Sequence, residues 1–434
     1  MVLKRVDLRG VVDFADLLPR PEPVSQDVAV AVRQILNDVA DEGDAALLRY
    51  TQQLDGVSLD SLRVQDGDVD AALGRIAPEL RVALEVAADA IEEFHRHQIV
   101  AEHTSHRGGI SIRSWYQPVG RAGCYAPGGK AAYPSTVLMT VLPARVAGVD
   151  QVALCVPPSA DGCVADATLA AGAIAGVDEV YAVGGAQAIA AMAYGTESIA
   201  PTDVIVGPGN VYVASAKQCV AGTVGVPDSF AGPSEVVVVA DASTQATYGA
   251  ADLMAQAEHG PDGSCWLITW DSQVVDAIEA ALVELIADAA RKEDIVATFE
   301  HSGHAVLVDD AQAAAKVVNH IAPEHLQVMI ADPRAVIGRI KNAGAIFNGP
   351  LAPTAVGDYV AGPSHVLPTS GSARFGGVLS VRDFVKPMHE VSISQQGMAT
   401  FGPHAAALAD AEGLAAHAQS IRMRLVDADR SVDD

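Results

Sequence analysis

Glu324 and His325 stand side by side in APEHLQV, where a proline leads into an apolar run. A carboxylate next to an imidazole can move protons near neutral pH; equally, Glu324 can cap a turn with His325 incidental. Gln256 and His259 lie three residues apart at the end of AADLMAQAEHG. On a helix that spacing lets both side chains face one way, as a pair of metal ligands would, or they simply end a solvated helix. Asp358 and His365 fall in GDYVAGPSH, whose glycines and proline predict an irregular loop of the kind that carries function.

A second kind of chemistry belongs to three glycine-rich segments, Tyr125 to Lys130 (YAPGGK), Val183 to Gln187 (VGGAQ) and Val206 to Asn210 (VGPGN). Glycine lets backbone amides approach a phosphate closely. No segment is a complete GxGxxG, and YAPGGK lacks the Ser or Thr of a P-loop, so each alone reads equally as a tight turn. Three of them after successive strands of one sheet point to a dinucleotide at the carboxyl edge.

The elements that must position these residues follow from periodicity. Segments Ser25 to Thr51 and Pro78 to His97 repeat apolar residues at three- and four-residue steps, which predicts a helical N-terminal portion. From Gly120 the chain alternates Val/Ile-rich runs (QVALCV, EVYAVGG, DVIVG, EVVVVAD, CWLITW, HAVLVDD, EHLQVMI, GAIFNG) with Ala-rich segments. Strand, helix, strand repetition predicts an α/β fold with parallel sheets. The break at AGPS, residues 231–234, divides the strands into two Rossmann-like lobes with a cleft between them. The expected divisions are an N-terminal segment 1–24, one α/β lobe of 25–124 plus 235–380, a second α/β lobe 125–234 that carries the glycine-rich segments, and a C-terminal tail 381–434. Pro403 to Val426 reads as one helix and DADRSVDD as a solvated acidic end.

Bulk properties exclude several classes. A formal charge of -26 offers no clustered cations to displace counterions, so no nucleic-acid partner is expected. No apolar run approaches the ~20 residues that span a bilayer. The start, MVLKRVDLRGVVDF, interrupts each apolar stretch with Asp or Arg, which leaves no secretory h-region and makes the cytoplasm the expected compartment. Five cysteines without a CxxC predict neither a disulfide framework nor a zinc ribbon. Cys124 is expected to be a packing residue rather than a nucleophile. His95, His97, His103 and His106 sit in a polar stretch and are expected at the surface, with His301 and His304 flanking a turn before a strand.

Taken in order, GCYAPGGKAAYPSTVLM, VGGAQAIAAMAYGTE, VGPGN, AGPSEVVVVAD, QAEHGPD, APEHL, GDYVAGPSHVLPT and AEGLAAH closely resemble the successive signatures of the histidinol dehydrogenase family, over about residues 25–425. The resemblance implies a zinc-dependent, NAD-linked four-electron oxidation of L-histidinol, through the aldehyde, to histidine. It makes 25–124 plus 235–380 the substrate and metal lobe, 125–234 the NAD-binding-like lobe and 381–434 the dimerisation tail, and it places zinc on Gln256, His259, Asp358 and His417. Substrate contacts fall on Ser234, Gln256, His259, Glu324, His325, Asp358, His365, Glu412 and His417, and cofactor contacts on Tyr125, Gln187 and Asn210. Within it His325 is the general base and Glu324 activates water. The resemblance also implies an obligate homodimer whose tails, with Glu412 and His417, enter the neighbouring subunit's site. Five residues are about 140° apart on an ideal helix, so these two meet one ligand only near a helix break, which Gly413 can supply. Thr354 departs from the acidic residue common in relatives, which bears on the segment presenting Asp358.

Two alternatives remain at this level: a paralogue on the same scaffold oxidising another small polar or sulfonated alcohol, and a catalytically inactive zinc-binding regulator. Glu324, Glu412 and His365 suit an amino and imidazole substrate better than an anionic one.

Overall fold

Short runs of β-branched residues become strands buried on both faces, as parallel sheets require. In Glu235–Ala240 (EVVVVA), Val236 and Val238 point into one apolar cluster while Val237 and Val239 point into another on the opposite side. The structure is a computed structural model describing residues 2–19, 25–128, 132–228 and 234–430. Lys130, residues 231–233 of the AGPS break and the last four residues of the acidic end lie outside the described residues.

In chain order the elements are β1 (Lys4–Asp7), α1 (Gln26–Glu42), α2 (Asp44–Tyr50), α3 (Asp66–Arg75), α4 (Pro78–Arg96), β2 (His103–Arg107), β3 (Ile110–Pro118) and β4 (Arg121–Tyr125). There follow α5 (Pro134–Ala147), β5 (Gln151–Val156), α6 (Asp166–Ala175), β6 (Glu179–Ala182), α7 (Gly185–Tyr194), β7 (Val204–Val206) and α8 (Val211–Val220). Next come β8 (Glu235–Ala240), α9 (Ala246–Ala257), β9 (Ser264–Thr269), α10 (Ser272–Ala287), α11 (Lys292–Ser302), β10 (Gly303–Leu307), α12 (Ala311–Ile321) and β11 (His325–Met329). The chain closes with α13 (Arg334–Ile337), β12 (Ala345–Asn348), α14 (Thr354–Tyr359), β13 (Val385–Ile393), α15 (Gln395–Ala411) and α16 (Ala415–Arg430).

Two compact units result: residues 1–98 with 119–384, and residues 99–118 with 385–434. The first holds two all-parallel sheets. One has six strands in the order β1-β10-β9-β8-β11-β12, the other four in the order β6-β5-β4-β7. Each is covered by helices on both faces, giving the α/β architecture read from the sequence. Helices α1 to α4, read from the sequence as part of the substrate lobe, pack on α5 to α8 of the four-stranded sheet. The N-terminal segment also carries a strand that periodicity missed: β1 pairs with β10 and extends the six-stranded sheet.

The second unit, by itself, is an antiparallel sheet ordered β13-β3-β2 followed by α15 and α16, which pack on each other. The single helix expected from Pro403 to Val426 is thus two, parted at Gly413, whose φ of 73° is left-handed and closes α15. His103 and His106 lie exposed on β2 rather than in a helical region. His95 departs from the surface expectation: it continues the buried stripe Leu84, Ala88 and Ile91 of α4, with Nδ1 2.8 Å from the Ile91 carbonyl. His304 is also buried, stacked on Trp266 of the neighbouring strand with centroids 4.3 Å apart, while His301 belongs to α11.

Candidate active site

β11 pairs with β8 so that His325 faces Val236, which sets Glu324 beside Glu235 at the amino edge of the six-stranded sheet. The Glu235 amide donates to Glu324 Oε2 at 2.8 Å, and His325 Nδ1 lies 3.1 Å from the Glu235 carbonyl. A carbonyl only accepts, so Nδ1 carries the proton there. In the neutral ring the lone pair is then on Nε2, which is buried without a hydrogen-bond partner and 3.5 Å from Asp358 Oδ1. Glu324 Oε2 is 3.4 Å from Nδ1. Burial disfavours the imidazolium, yet Glu324 and Asp358 outweigh it and hold the His325 pKa well above the ordinary value.

The backbone entering this site is strained. Ala322 (φ 53°) and Ser370 (φ 54°) are the two non-glycine residues with positive φ among the described residues. Ala322 ends α12 and turns the chain through Pro323 to Glu324 and His325, and the Ser370 amide hydrogen-bonds Glu235. Strain of this kind, about 1 kcal/mol or more per residue, persists where the surroundings over-determine the conformation. Glu235 itself was legible only as the first residue of a strand. Burial, then the neighbouring Glu324, pushes its pKa up to about 8, and its Oε2 has no partner. An acidic residue opening an all-apolar run was the available signal.

Asp358, expected in a loop, is on the short helix α14, which Thr354 opens and which packs against α9. Burial would raise its pKa, but His325, His365 and His259 lower it on balance, so it is anionic. His365 braces it: Nδ1 lies 2.9 Å from the Asp358 carbonyl and Nε2 3.1 Å from Thr136 Oγ1, with burial lowering its pKa. Thr136, at the start of α5, had no sequence signal. Gln256 is buried in the last turn of α9 and its Nε2 has no partner; His259 follows the helix end, exposed. Ser234 precedes β8, its carbonyl accepting from the Ser264 amide at 3.2 Å.

One imidazole, one carboxylate and one unsatisfied amide fit a divalent metal that takes mixed nitrogen and oxygen donors, zinc among them. Among the described residues no three His, Cys, Asp or Glu side chains gather closely enough to hold a metal. His259 and Asp358 are two such groups, Gln256 is an amide, and Glu412 and His417 lie exposed in the other unit, on either side of Gly413.

At the carboxyl edge of the four-stranded sheet, Tyr125 ends β4, Gln187 lies in the first turn of α7, and Asn210 caps α8. The Gly185 amide donates to Tyr125 Oη at 3.2 Å, and burial pushes the Tyr125 hydroxyl up to about 12. Gln187 is buried, and its Oε1 lacks a partner. Asn210 Oδ1 accepts from Tyr212 and Val213, leaving its amide nitrogen for a ligand. Gly207 has φ 121°, and a Cβ there would lie 1.9 Å from the Tyr125 carbonyl oxygen, so only glycine fits. A buried unpartnered oxygen on Gln187 and the exposed amide of Asn210, both at helix starts after parallel strands, fit a dinucleotide. Cys124 is fully buried with its thiol pushed up to about 12, which suits packing and not nucleophilic attack.

The sequence model of the histidinol dehydrogenase family matches residues 18–425. The chain belongs to the histidinol dehydrogenase family. The histidinol dehydrogenase of Rhizobium meliloti is 46% identical over 416 residues, 95% of each chain, and that of Synechococcus sp. is 45% identical over 403 residues, 92% of this chain and 93% of that one. The crystal structure of histidinol dehydrogenase from Elizabethkingia anophelis superposes with a TM-score of 0.93 at 33% identity, covering 100% of this chain and 99% of that one. Its fold is the family's, with both parallel sheets.

Proposed function

We propose that this chain is a histidinol dehydrogenase, oxidising L-histidinol through L-histidinaldehyde to L-histidine. The observation that carries the reading is the His325 geometry: Nδ1 is committed to the Glu235 carbonyl, which leaves Nε2, facing Asp358, as the ring atom that can give up and take back a proton. His325 Nε2 takes the hydroxyl proton while a hydride leaves the same carbon, giving the aldehyde. Glu324, held by the Glu235 amide, then deprotonates a water for attack on the aldehyde, and His325 accepts a proton again as the hydrate loses its own hydride. Tyr125, Gln187 and Asn210 would hold NAD, which would supply the hydride acceptor, one molecule per oxidation and four electrons per turnover. Gln256, His259, Asp358 and His417 would hold zinc, which would supply a positive centre for orienting the substrate. Ser234, His365 and Glu412 complete the substrate contacts, with His365 also fixing the backbone that presents Asp358.

Within this reading the protein is an obligate homodimer in which the tail carrying Glu412 and His417 completes the partner's site, and it works in the cytoplasm. The exposed apolar side chains of the tail, Leu408 and Met423 among them, support association. No helix among the described residues is long and apolar enough to cross a membrane. The deciding assay counts NADH formed from L-histidinol with and without chelation. Two NADH per substrate, lost on chelation and restored by zinc, is the expected result; zinc-loaded protein that leaves histidinol untouched overturns the proposal. Tail exchange is tested by mixing inactive His325→Asn and His417→Ala subunits: hybrid dimers regain activity if tails are exchanged and stay inactive if each chain completes its own site.

A further inference from the structure

Beneath the carboxyl edge of the four-stranded sheet lies a buried ion pair that the mechanism does not use. Lys217, on α8, and Asp228, beyond it, are both almost wholly buried, with Nζ 2.5 Å from Oδ1. Both also grip the two successive peptides that flank Gly207 in the loop between β7 and α8. The Gly207 amide donates to Asp228 Oδ2 at 2.6 Å, and Lys217 Nζ donates to the Gly207 carbonyl at 2.7 Å. Gly207 is therefore held at both its polar groups by side chains, in a left-handed conformation whose Cα abuts the Tyr125 carbonyl.

A buried ion pair is an inefficient source of stability, since apolar residues of the same volume often do as well or better. What this pair supplies that an apolar pair cannot is direction: two charge-assisted hydrogen bonds that fix the peptides on either side of Gly207, and with them its φ and ψ. Gly207 opens the segment leading to Asn210 and lies against the Tyr125 carbonyl, so one clamp sets two of the residues assigned to the dinucleotide.

We propose that Lys217 and Asp228 are positioning residues for NAD, holding the Gly207–Asn210 loop and Tyr125 in the geometry that receives it. The proposal rests on the reading that this sheet edge binds NAD.

The test is the double variant Lys217→Met/Asp228→Leu, which replaces the pair by apolar groups, with Gln187→Ala as the probe of the cofactor edge itself. Binding of NADH is followed by its fluorescence on the purified dimer, beside thermal midpoint, zinc content, and kcat and KM for both substrates. Expected for the double variant is a thermal midpoint close to the parent's, NADH binding weaker by about tenfold, the order expected when a hydrogen bond's worth of preorganisation is lost, KM for NAD raised in proportion, and unchanged zinc content and KM for histidinol. Unchanged NADH binding in the double variant alongside weakened binding in Gln187→Ala overturns the clamp and leaves the cofactor edge standing. Unchanged binding in both overturns the clamp and the cofactor edge together. Parallel losses in zinc content and both KM values also overturn it, because the pair would then be a general structural support. Should the double variant not fold, Asp228→Asn, which keeps an acceptor for the Gly207 amide while removing the charge facing Lys217, decides by the same ratio of NADH binding to histidinol KM.

Discussion

The two sheet edges proposed to carry the chemistry use opposite ends of their strands and different materials. At the four-stranded sheet the groups lie beyond the carboxyl ends and are mostly backbone amides, glycines and neutral side chains: Tyr125, Gln187, Asn210. At the six-stranded sheet they lie at the amino ends of β8 and β11 and are ionisable: Glu235, Glu324 and His325, facing Asp358. A dinucleotide brings its own reactive ring and asks the protein for shape and amide donors, whereas proton transfer needs groups whose charge changes. Parallel sheets generally bind ligands at the carboxyl edge. The six-stranded sheet departs from that habit because a return helix, α9, ends at the amino edge and delivers Gln256 and His259 there.

Substitutions sharpen this contrast. The largest effect is expected where charge must move. His325→Asn should slow both oxidations by about 10²- to 10⁴-fold with the fold intact, and Glu324→Gln should release one NADH per histidinol and stall at the trapped aldehyde. Equal loss of both half-reactions in Glu324→Gln removes that residue from water activation. Because the His325 pKa is raised, the base is protonated and idle at low pH, so kcat/KM should climb as pH rises through that pKa; a flat profile across the neutral and alkaline range contradicts the assignment.

At the other edge the vulnerable atom is a missing one. Gly207→Ala drives a methyl into the Tyr125 carbonyl and should cost about 3 kcal/mol in urea unfolding, with NADH binding lost before zinc. A variant as stable as the parent breaks the claim that backbone proximity governs this edge.

The effect spread most thinly, a slope per pH unit, tests whether Glu235 is a buried neutral acid. Its pKa of about 8 lies above its unfolded value, so between the ordinary carboxylate range and pH 8 the folded chain holds a proton that the unfolded chain releases. Stability should therefore fall as pH rises through that window, by on the order of 1 kcal/mol per pH unit. Glu235→Gln should flatten the fall, as read from urea midpoints at pH 5 and 8; an unchanged slope assigns the titration elsewhere.

Much of this was legible in the chain. The eight Val/Ile-rich runs from QVALCV to GAIFNG all became strands, because short apolar runs holding β-branched residues and separated by Ala-rich segments suit strands buried on both faces. APEHL showed a carboxylate and an imidazole next to a strand start, and the chain does break at Gly413, between Glu412 and His417. Less was legible where burial depends on packing. His95 looks polar among charged neighbours, yet its place on the Leu84–Ile91 stripe of α4 buries it. β1 was missed because four residues with three charges show no strand alternation; pairing with β10 decides its state.

By itself the sequence determined the period of each element, where chains must turn, and which residue types could perform acid–base, metal and dinucleotide chemistry, since all of these depend on neighbours within a few positions. Only the tertiary structure decided that Glu324 abuts Glu235, eighty-nine residues away, that His325 commits Nδ1 to the Glu235 carbonyl, that α1 to α4 cover the four-stranded sheet, and that Lys217 and Asp228 close on Gly207. Those outcomes turn on strand register and on which apolar faces meet, and register is fixed by burial summed over a whole sheet rather than by any local stretch of chain.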